Sequence, residues 1–228
     1  MTDAPLISVR GEAVLEVEPE IARLHVHVEV QEGDRRKTLD TLVARNQACL
    51  DLIRSYGEAV ETLETGGLSI TPLLKYRRRE GDVRAYRGTV WIKIAVIDFA
   101  VLGELVTRLG DQERTYVNGP AWELRRDSEV YKEAARQAAH EAVARARSYA
   151  GALGSRLTAL VELADEGLTT GPAHGPQEYM AAVPAFAGQA GAAPSAPEAI
   201  ALEPETQIVR AAVEARFRAT APADLEGP

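Results

Sequence analysis

Two histidines and a glutamate alternate with aliphatic residues in the segment RLHVHVEV, residues 23–30. Because successive side chains of a β-strand point to opposite faces, His25, His27 and Glu29 would share one face of such a strand. Imidazole nitrogens and carboxylate oxygens are ligands that zinc accepts. The spacing therefore raises two hypotheses, a metal site and the ordinary solvent-facing side of a half-buried strand.

The preceding strand offers other partners for the same side chains. A hairpin that turns at residues 19–20 would place Glu12 opposite His27 and Arg10 opposite Glu29. Pairing across the hairpin would then account for His27 and Glu29 without a metal. We therefore interpret RLHVHVEV as the solvent-facing or subunit-facing side of an edge hairpin.

A metal site in this register needs a third ligand close to both imidazoles, and Glu12 is the donor that the register provides. The metal hypothesis thus narrows to His25, His27 and Glu12, and a pH-sensitive His27–Glu12 pair is the other hypothesis for these residues. We expect no catalytic residue, no metal and no cofactor, because the sequence contains no G-x-G-x-x-G or Walker lysine loop, no G-x-S-x-G elbow and no H-E-x-x-H motif.

The elements that position these residues follow from changes of hydrophobic period. Alternation with period 2 predicts strands on both sides of Pro19, and helical spacing from Leu39 to Ile53 follows within residues 32–58, with Gly57 as a plausible end. Continued along the chain, the pattern predicts the order β-β-α-β-β-α-β-α-β, a long loop and a last β. This order is typical of an α+β fold, with antiparallel β-sheet backed by helices.

Local signals mark where several elements begin, end or bend. We predict that Gly66-Gly67 belongs to a link before a strand, that Asn118-Gly119-Pro120 forms a bend or bulge, and that Asp127 caps the longest helix. So many alanines on that helix imply close approach to the sheet or to another helix. Its predicted buried stripe is Tyr131, Ala134, Ala135, Ala138, Ala142, Tyr149 and Leu153.

Composition limits the function classes. The 228 residues can bury a sizeable core, and the net charge of -8 disfavours nucleic acid as a main partner. The lone Cys49 cannot form an internal disulfide, and we expect a small buried hydrophobe there. Residues 1–13 lack the basic and apolar regions of a secretory signal, and no apolar run is long enough to span a membrane, so we expect a cytoplasmic protein.

Two segments stand apart from the regular elements. Residues 75–87 form a basic hairpin, KYRRREGDVRAYR, which could keep a projecting arm soluble, dock onto an acidic neighbouring subunit or bind an anion. Residues 169–204 are rich in Ala, Gly and Pro, and we predict a flexible insertion there. Since a strand pattern follows this insertion, we expect residues 1–228 to form a single domain, with two α/β lobes as an alternative.

Five segments together resemble the SIMPL family, a family of unknown function. They are ISVRGEAVLEVEPEIARLHVHVEV, LETGGLSITPLLKY, AYRGTVWIKIAV, VNGPAWELRRDSEVYKEAARQAAHEAVARARSYAGALG and EPETQIVRAAVEARF. The resemblance implies an α+β fold, bacterial export, large ring-like homo-oligomers and an association with envelope or oxidative stress. It implies no catalytic residue, since none is established for the family.

These observations favour a non-enzymatic, self-associating protein that acts as a scaffold or stress-protective assembly. A small-molecule or anion binding module that uses the basic hairpin is the alternative, and a metal-binding protein built on His25 and His27 is a third possibility.

Overall fold

The computed structural model describes residues 4–74, 83–168 and 200–223. Within them, seven strands and three helices follow the predicted order, and the predicted α+β class is confirmed. The strands are β1 (Leu6–Val17), β2 (Ile21–Glu32), β3 (Val60–Leu74), β4 (Val83–Val96), β5 (Thr115–Glu123), β6 (Leu157–Asp165) and β7 (Gln207–Ala219). The helices are α1 (Arg35–Arg54), α2 (Leu102–Gly110) and α3 (Glu129–Ala152).

The strands form two sheets, and β1 and β2 belong to different ones. β2 lies inside a four-stranded sheet of order β3-β4-β2-β5, whereas β1 is an edge of a three-stranded sheet of order β1-β7-β6. The predicted hairpin of β1 with β2 is therefore wrong, and β2 is not an edge strand. Alternating hydrophobicity shows which face of a strand is buried, but it does not identify the neighbouring strand.

Contacts within the chain divide it into two compact units. We call them the three-stranded unit, with β1, α3, β6 and β7, and the four-stranded unit, with β2 to β5, α1 and α2. The expectation that residues 1–228 act as a single domain stays a prediction. Of the predicted insertion at 169–204, residues 169–199 lie outside the described part of the chain.

Large aliphatic side chains build the core of the four-stranded unit. α1 contacts β2 and β4, α2 contacts β5, and the inward residues of β2 and β4 lie between the sheet and the helices. α1 begins where the Asp34 carboxylate accepts the Lys37 amide hydrogen at 2.9 Å, as an N-cap does. The largest fully buried side chains are Leu24, Val26, Val28, Val30, Leu42, Ile53, Val90, Ile92, Ile94, Leu102, Leu105 and Leu109.

The core of the three-stranded unit depends instead on small residues. α3 packs on β1, and a Cβ placed on Gly11 would lie 2.1 Å from the Ala138 carbonyl oxygen and 2.5 Å from the Ala142 amide nitrogen. The predicted close approach of this helix to the sheet is thus confirmed. Its fully buried residues are Ala134, Ala138, Ala142, Ala146 and Ala150.

Two predictions about α3 are wrong in part, its N-cap and its buried stripe. Ser128, rather than Asp127, is the N-cap, since the Ser128 hydroxyl accepts from the Val130 amide at 3.3 Å. Tyr131, Ala135, Tyr149 and Leu153 were expected on the buried stripe but are exposed. Only alanine fits where the helix backbone comes this close to β1, so bulkier apolar residues lie at its margins.

Two strands, β3 and β5, are irregular at positions that contain glycine. Gly66 and Gly67 lie inside β3 at a register shift between Thr65 and Leu68, so the predicted link there is wrong. The predicted irregularity at residues 118–120 is confirmed, because the pairing of β2 with β5 shifts register there and Gly119 has a φ of 118°. A Cβ on Gly119 would lie 2.7 Å from the Arg23 carbonyl oxygen, which explains the glycine.

Candidate functional site

The two histidines lie on the outer face of the four-stranded sheet. His25, His27 and Glu29 alternate along β2 with Leu24, Val26 and Val28, which are fully buried. The sequence therefore predicted the correct face for these side chains. We call this surface the histidine face and define it as His25, His27 and Glu29 of β2, Thr89, Trp91 and Lys93 of β4, and Tyr116 and Asn118 of β5.

His27 is stacked between two aromatic rings on neighbouring strands. Its ring centroid is 4.2 Å from that of Trp91, at an interplanar angle of 16°, and 5.9 Å from that of Tyr116, at 27°. The three side chains therefore form a row across β4, β2 and β5, in which both faces of the imidazole are covered. Trp91 and Tyr116 remain 43% and 52% exposed, so the two ends of the row are open to solvent.

The stacked row is the feature of the histidine face that could not be predicted from the sequence. The alternation of β4 already placed Trp91 on the face opposite Ile92, which is fully buried, but the strand next to β4 was unknown. Aromatic residues at outward positions of two strands were the available signal. Only the register, with His27 opposite both Trp91 and Tyr116, shows that these rings meet.

The structure does not bring the hypothesised metal ligands together. His25 is opposite Lys93 and Asn118, and Glu12 lies on β1 of the other sheet rather than opposite His27. Among the described residues, no group of three or more His, Cys, Asp or Glu side chains is placed to hold a metal ion. The expected His27–Glu12 pair is wrong because it rested on the hairpin that does not form.

The predicted ion pair of Arg10 with Glu29 is also wrong. The Glu29 carboxylate lies 3.4 Å from Arg87 Nε and 3.8 Å from Arg114 Nη1. Arg10 pairs instead with Glu12 at 2.9 Å and with Glu166 at 2.8 Å. Arg10 and Glu29 are thus each paired with a residue of opposite charge, but the tertiary structure decides which residue that is.

Cys49 lies in the core, as predicted. Its Sγ is 4.0 Å from the Thr115 hydroxyl oxygen, and only 1% of the residue is exposed. Burial raises the pKa of the Cys49 thiol, while the contact with Thr115 opposes that shift. Because the thiolate is the reactive form, this environment favours a packing role over nucleophilic chemistry.

The basic hairpin is described only in part. β3 and β4 pair antiparallel as predicted, up to Leu74 opposite Val83, but residues 75–82 lie outside the described part of the chain. Of its described basic residues, Arg84 is exposed and Arg87 is ion-paired with Glu29. Binding of an anion or an acidic subunit by this hairpin stays a prediction.

Comparison with known proteins identifies the family. A family model described as "SIMPL: Protein of unknown function (DUF541)" matches residues 7–217, which is most of the chain. The chain belongs to the SIMPL family. This SIMPL chain is 29% identical over 177 residues to a 26 kDa periplasmic immunogenic protein of Brucella melitensis biotype 1, covering 72% of this chain and 68% of the relative. The protein of the same name from Brucella abortus strain S19 aligns with the same identity and coverage.

These relatives correct the expected location. Both are named periplasmic proteins, which points to the periplasm, so the expectation of a cytoplasmic SIMPL protein is wrong. That expectation rested on the composition of residues 1–13, which does not decide the compartment. In the described part of the chain, no helix combines the length and apolar character needed to cross a membrane.

Proposed function

We propose that this SIMPL chain is a non-enzymatic, self-associating protein of the bacterial periplasm that acts as a scaffold or stress-protective assembly. The observation that carries the proposal is an apolar edge strand. β6 is an edge strand of the three-stranded sheet that the described residues form, and Leu160, Val161 and Leu163 are about half exposed. An exposed apolar edge is a ready template for pairing with another strand.

The composition of β6 supports this use of the edge. Proteins commonly protect such strands with lysine, proline or inward-pointing charges, whereas the ionisable residues within β6 are Glu162 and Asp165. Glu162 is ion-paired with Arg216 of β7 at 3.3 Å, so its charge already has a partner on the neighbouring strand. Two register shifts make the strand irregular, yet Leu160, Val161 and Leu163 stay about half exposed.

A second copy of the chain is the partner that fits this edge. Leucine and valine on one β6 strand can pack against the same residues of another, so the surface is complementary to itself. Each chain carries a net charge of -8, so two copies repel each other electrostatically. A contact made by apolar residues does not place charged surfaces of the two copies against each other. Assembly would bury side chains that a monomer leaves in water.

Sedimentation analysis at micromolar concentration tests the proposal. The expected result for the wild-type protein is an oligomer, and for Leu163→Lys a shift toward the monomer, because the substitution places a charge in the contact. Leu168→Lys is the matched control, since Leu168 is exposed but lies beyond the end of β6. A strictly monomeric wild type would reject self-association, and an unchanged oligomer in Leu163→Lys would reject β6 as the contact.

A further inference from the structure

The row of stacked rings on the histidine face ends beside an unfilled position. The next strand after Trp91 in this row is β3, where Thr65 is opposite Ile92 and Leu68 is opposite Val90. Gly66 and Gly67 therefore both lie beside Trp91, at the register shift. We call the space above these two glycines, next to the indole, the glycine notch.

Neither glycine of the notch is explained by its φ or by packing inside the unit. Both lack the positive φ that favours glycine. A Cβ on Gly66 would make ordinary contacts of 3.4 Å and 3.5 Å with the Trp91 carbonyl oxygen and Cβ, and a Cβ on Gly67 would meet nothing within 4 Å. Glycine inside a strand marks a bulge or a place where a ligand comes close to the backbone, and the surface of β3 beside the indole carries no side-chain atoms at these two positions.

The spacing between strands suits a single ring beside Trp91. His27 covers one face of the Trp91 indole, so the opposite face is directed toward β3. Neighbouring strands are about 4.8 Å apart, which is a stacking distance for rings. A ligand ring above Gly66 and Gly67 would therefore occupy the fourth position of the row that begins with Tyr116.

Polar side chains border the notch on both sides. Toward one end Glu64 is opposite Lys93, and both are exposed without a side-chain hydrogen bond or ion pair to any other described residue. Toward the other end the Ser69 and Thr89 hydroxyl oxygens are 3.1 Å apart. An aromatic face with a carboxylate, an ammonium and two hydroxyls around it matches a ring that has apolar faces and a hydroxylated rim.

We propose that the glycine notch binds one pyranose ring of a neutral saccharide, which stacks its C–H face on Trp91. The ring hydroxyls hydrogen-bond to Glu64 and Lys93. A phosphate-bearing ligand fits less well, because the Glu64 carboxylate opposite Lys93 repels an anion and because Arg87 and Arg114 both pair with Glu29. The site is separate from the β6 edge and does not depend on self-association.

Titration with three neutral trisaccharides, chitotriose, cellotriose and maltotriose, tests this site. The signal is the indole N–H resonance of Trp91 in an NMR spectrum of the ¹⁵N-labelled protein, assigned by its loss in Trp91→Phe. We expect at least one trisaccharide to shift this resonance. Gly67→Val should weaken that binding about tenfold, because its side chain fills the notch.

Gly33→Val is the matched control, since a Cβ on Gly33 also meets nothing within 4 Å. Gly33 lies on the loop after β2 and is not one of the residues opposite Trp91. This variant should bind as the wild type does. Unchanged melting temperatures in both variants would show that Gly67→Val acts on binding rather than on folding. Millimolar concentrations of all three sugars without a Trp91 shift would overturn the proposal, as would equal affinity in Gly67→Val. Adenosine binding in place of the sugars would reassign the notch to planar bases and also overturn it.

Discussion

The two sheets of this SIMPL protein are covered by helices in opposite ways. In the four-stranded unit, leucine, isoleucine and valine side chains fill the space between sheet and helices. In the three-stranded unit, α3 comes so close to β1 that its contacts are made by alanines and by the backbone at Gly11. The first core gains its stability from apolar side-chain area, and the second depends on the absence of side-chain volume.

The comparison also separates two kinds of glycine. At Gly11 a side chain would collide with the backbone of α3, so packing inside the unit explains the residue. At Gly67 a side chain would meet nothing, so packing inside the unit does not explain it. The same residue type thus marks a structural constraint in one sheet and a candidate binding position in the other.

The largest expected effect is that of Gly11→Ala on the three-stranded unit. The added methyl would lie 2.1 Å from a backbone oxygen of α3, which cannot move without shifting the helix. We expect the free energy of unfolding to fall by about 3–5 kcal/mol. Urea denaturation measures the change, and Gly33→Ala is the control because its methyl would meet nothing. An unchanged unfolding midpoint would contradict the close packing of α3 on β1.

Removing side-chain volume should be the damaging change in the four-stranded unit. Ile92 is fully buried between the sheet and its helices, and Ile92→Ala should destabilise that unit by about 3 kcal/mol through lost apolar contact and a cavity. Val43→Ala, at an exposed position of α1, should change stability by less than about 0.5 kcal/mol. Chemical denaturation distinguishes the two, and equal effects would refute the assigned core.

The smallest expected change in stability is that of Cys49→Ala, and this change should depend on pH. Cys49→Ala should cost about 1 kcal/mol at neutral pH, because it removes one buried sulfur from a core of larger side chains. Since burial raises the thiol pKa, the folded state keeps its proton when the unfolded chain loses it. Stability from the thiol is therefore complete below the ordinary thiol pKa of 9.0 and is lost as the pH rises above it.

The measurement is the difference in unfolding free energy between the wild type and Cys49→Ala as the pH is raised from neutral through 9.0. We expect this difference to shrink with increasing pH. A constant difference across the range would show that the thiol ionises alike in the folded and unfolded states. Because both proteins share every other titratable group, their effects largely cancel in the comparison.

Sequence patterns predicted the elements well but their neighbours poorly. The order of strands and helices, the buried faces of β1 and β2, and the irregularity at residues 118–120 could all be predicted, because each depends on nearby residues. The Pro19-Glu20 connection was compatible with a hairpin, yet it joins strands of different sheets. Turn chemistry restricts the local backbone and leaves the choice of partner strand open.

By itself, the sequence determined the fold class, the family resemblance and the outward position of His25, His27 and Glu29, since period and composition are local properties of a chain. The tertiary structure alone decided which side chains lie beside those residues. Strand order and register placed Trp91 and Tyr116 on either side of His27, and gave Glu29 to Arg87 and Arg114. Contacts across a sheet join residues that are distant along the chain, and the free energy of the whole unit selects them.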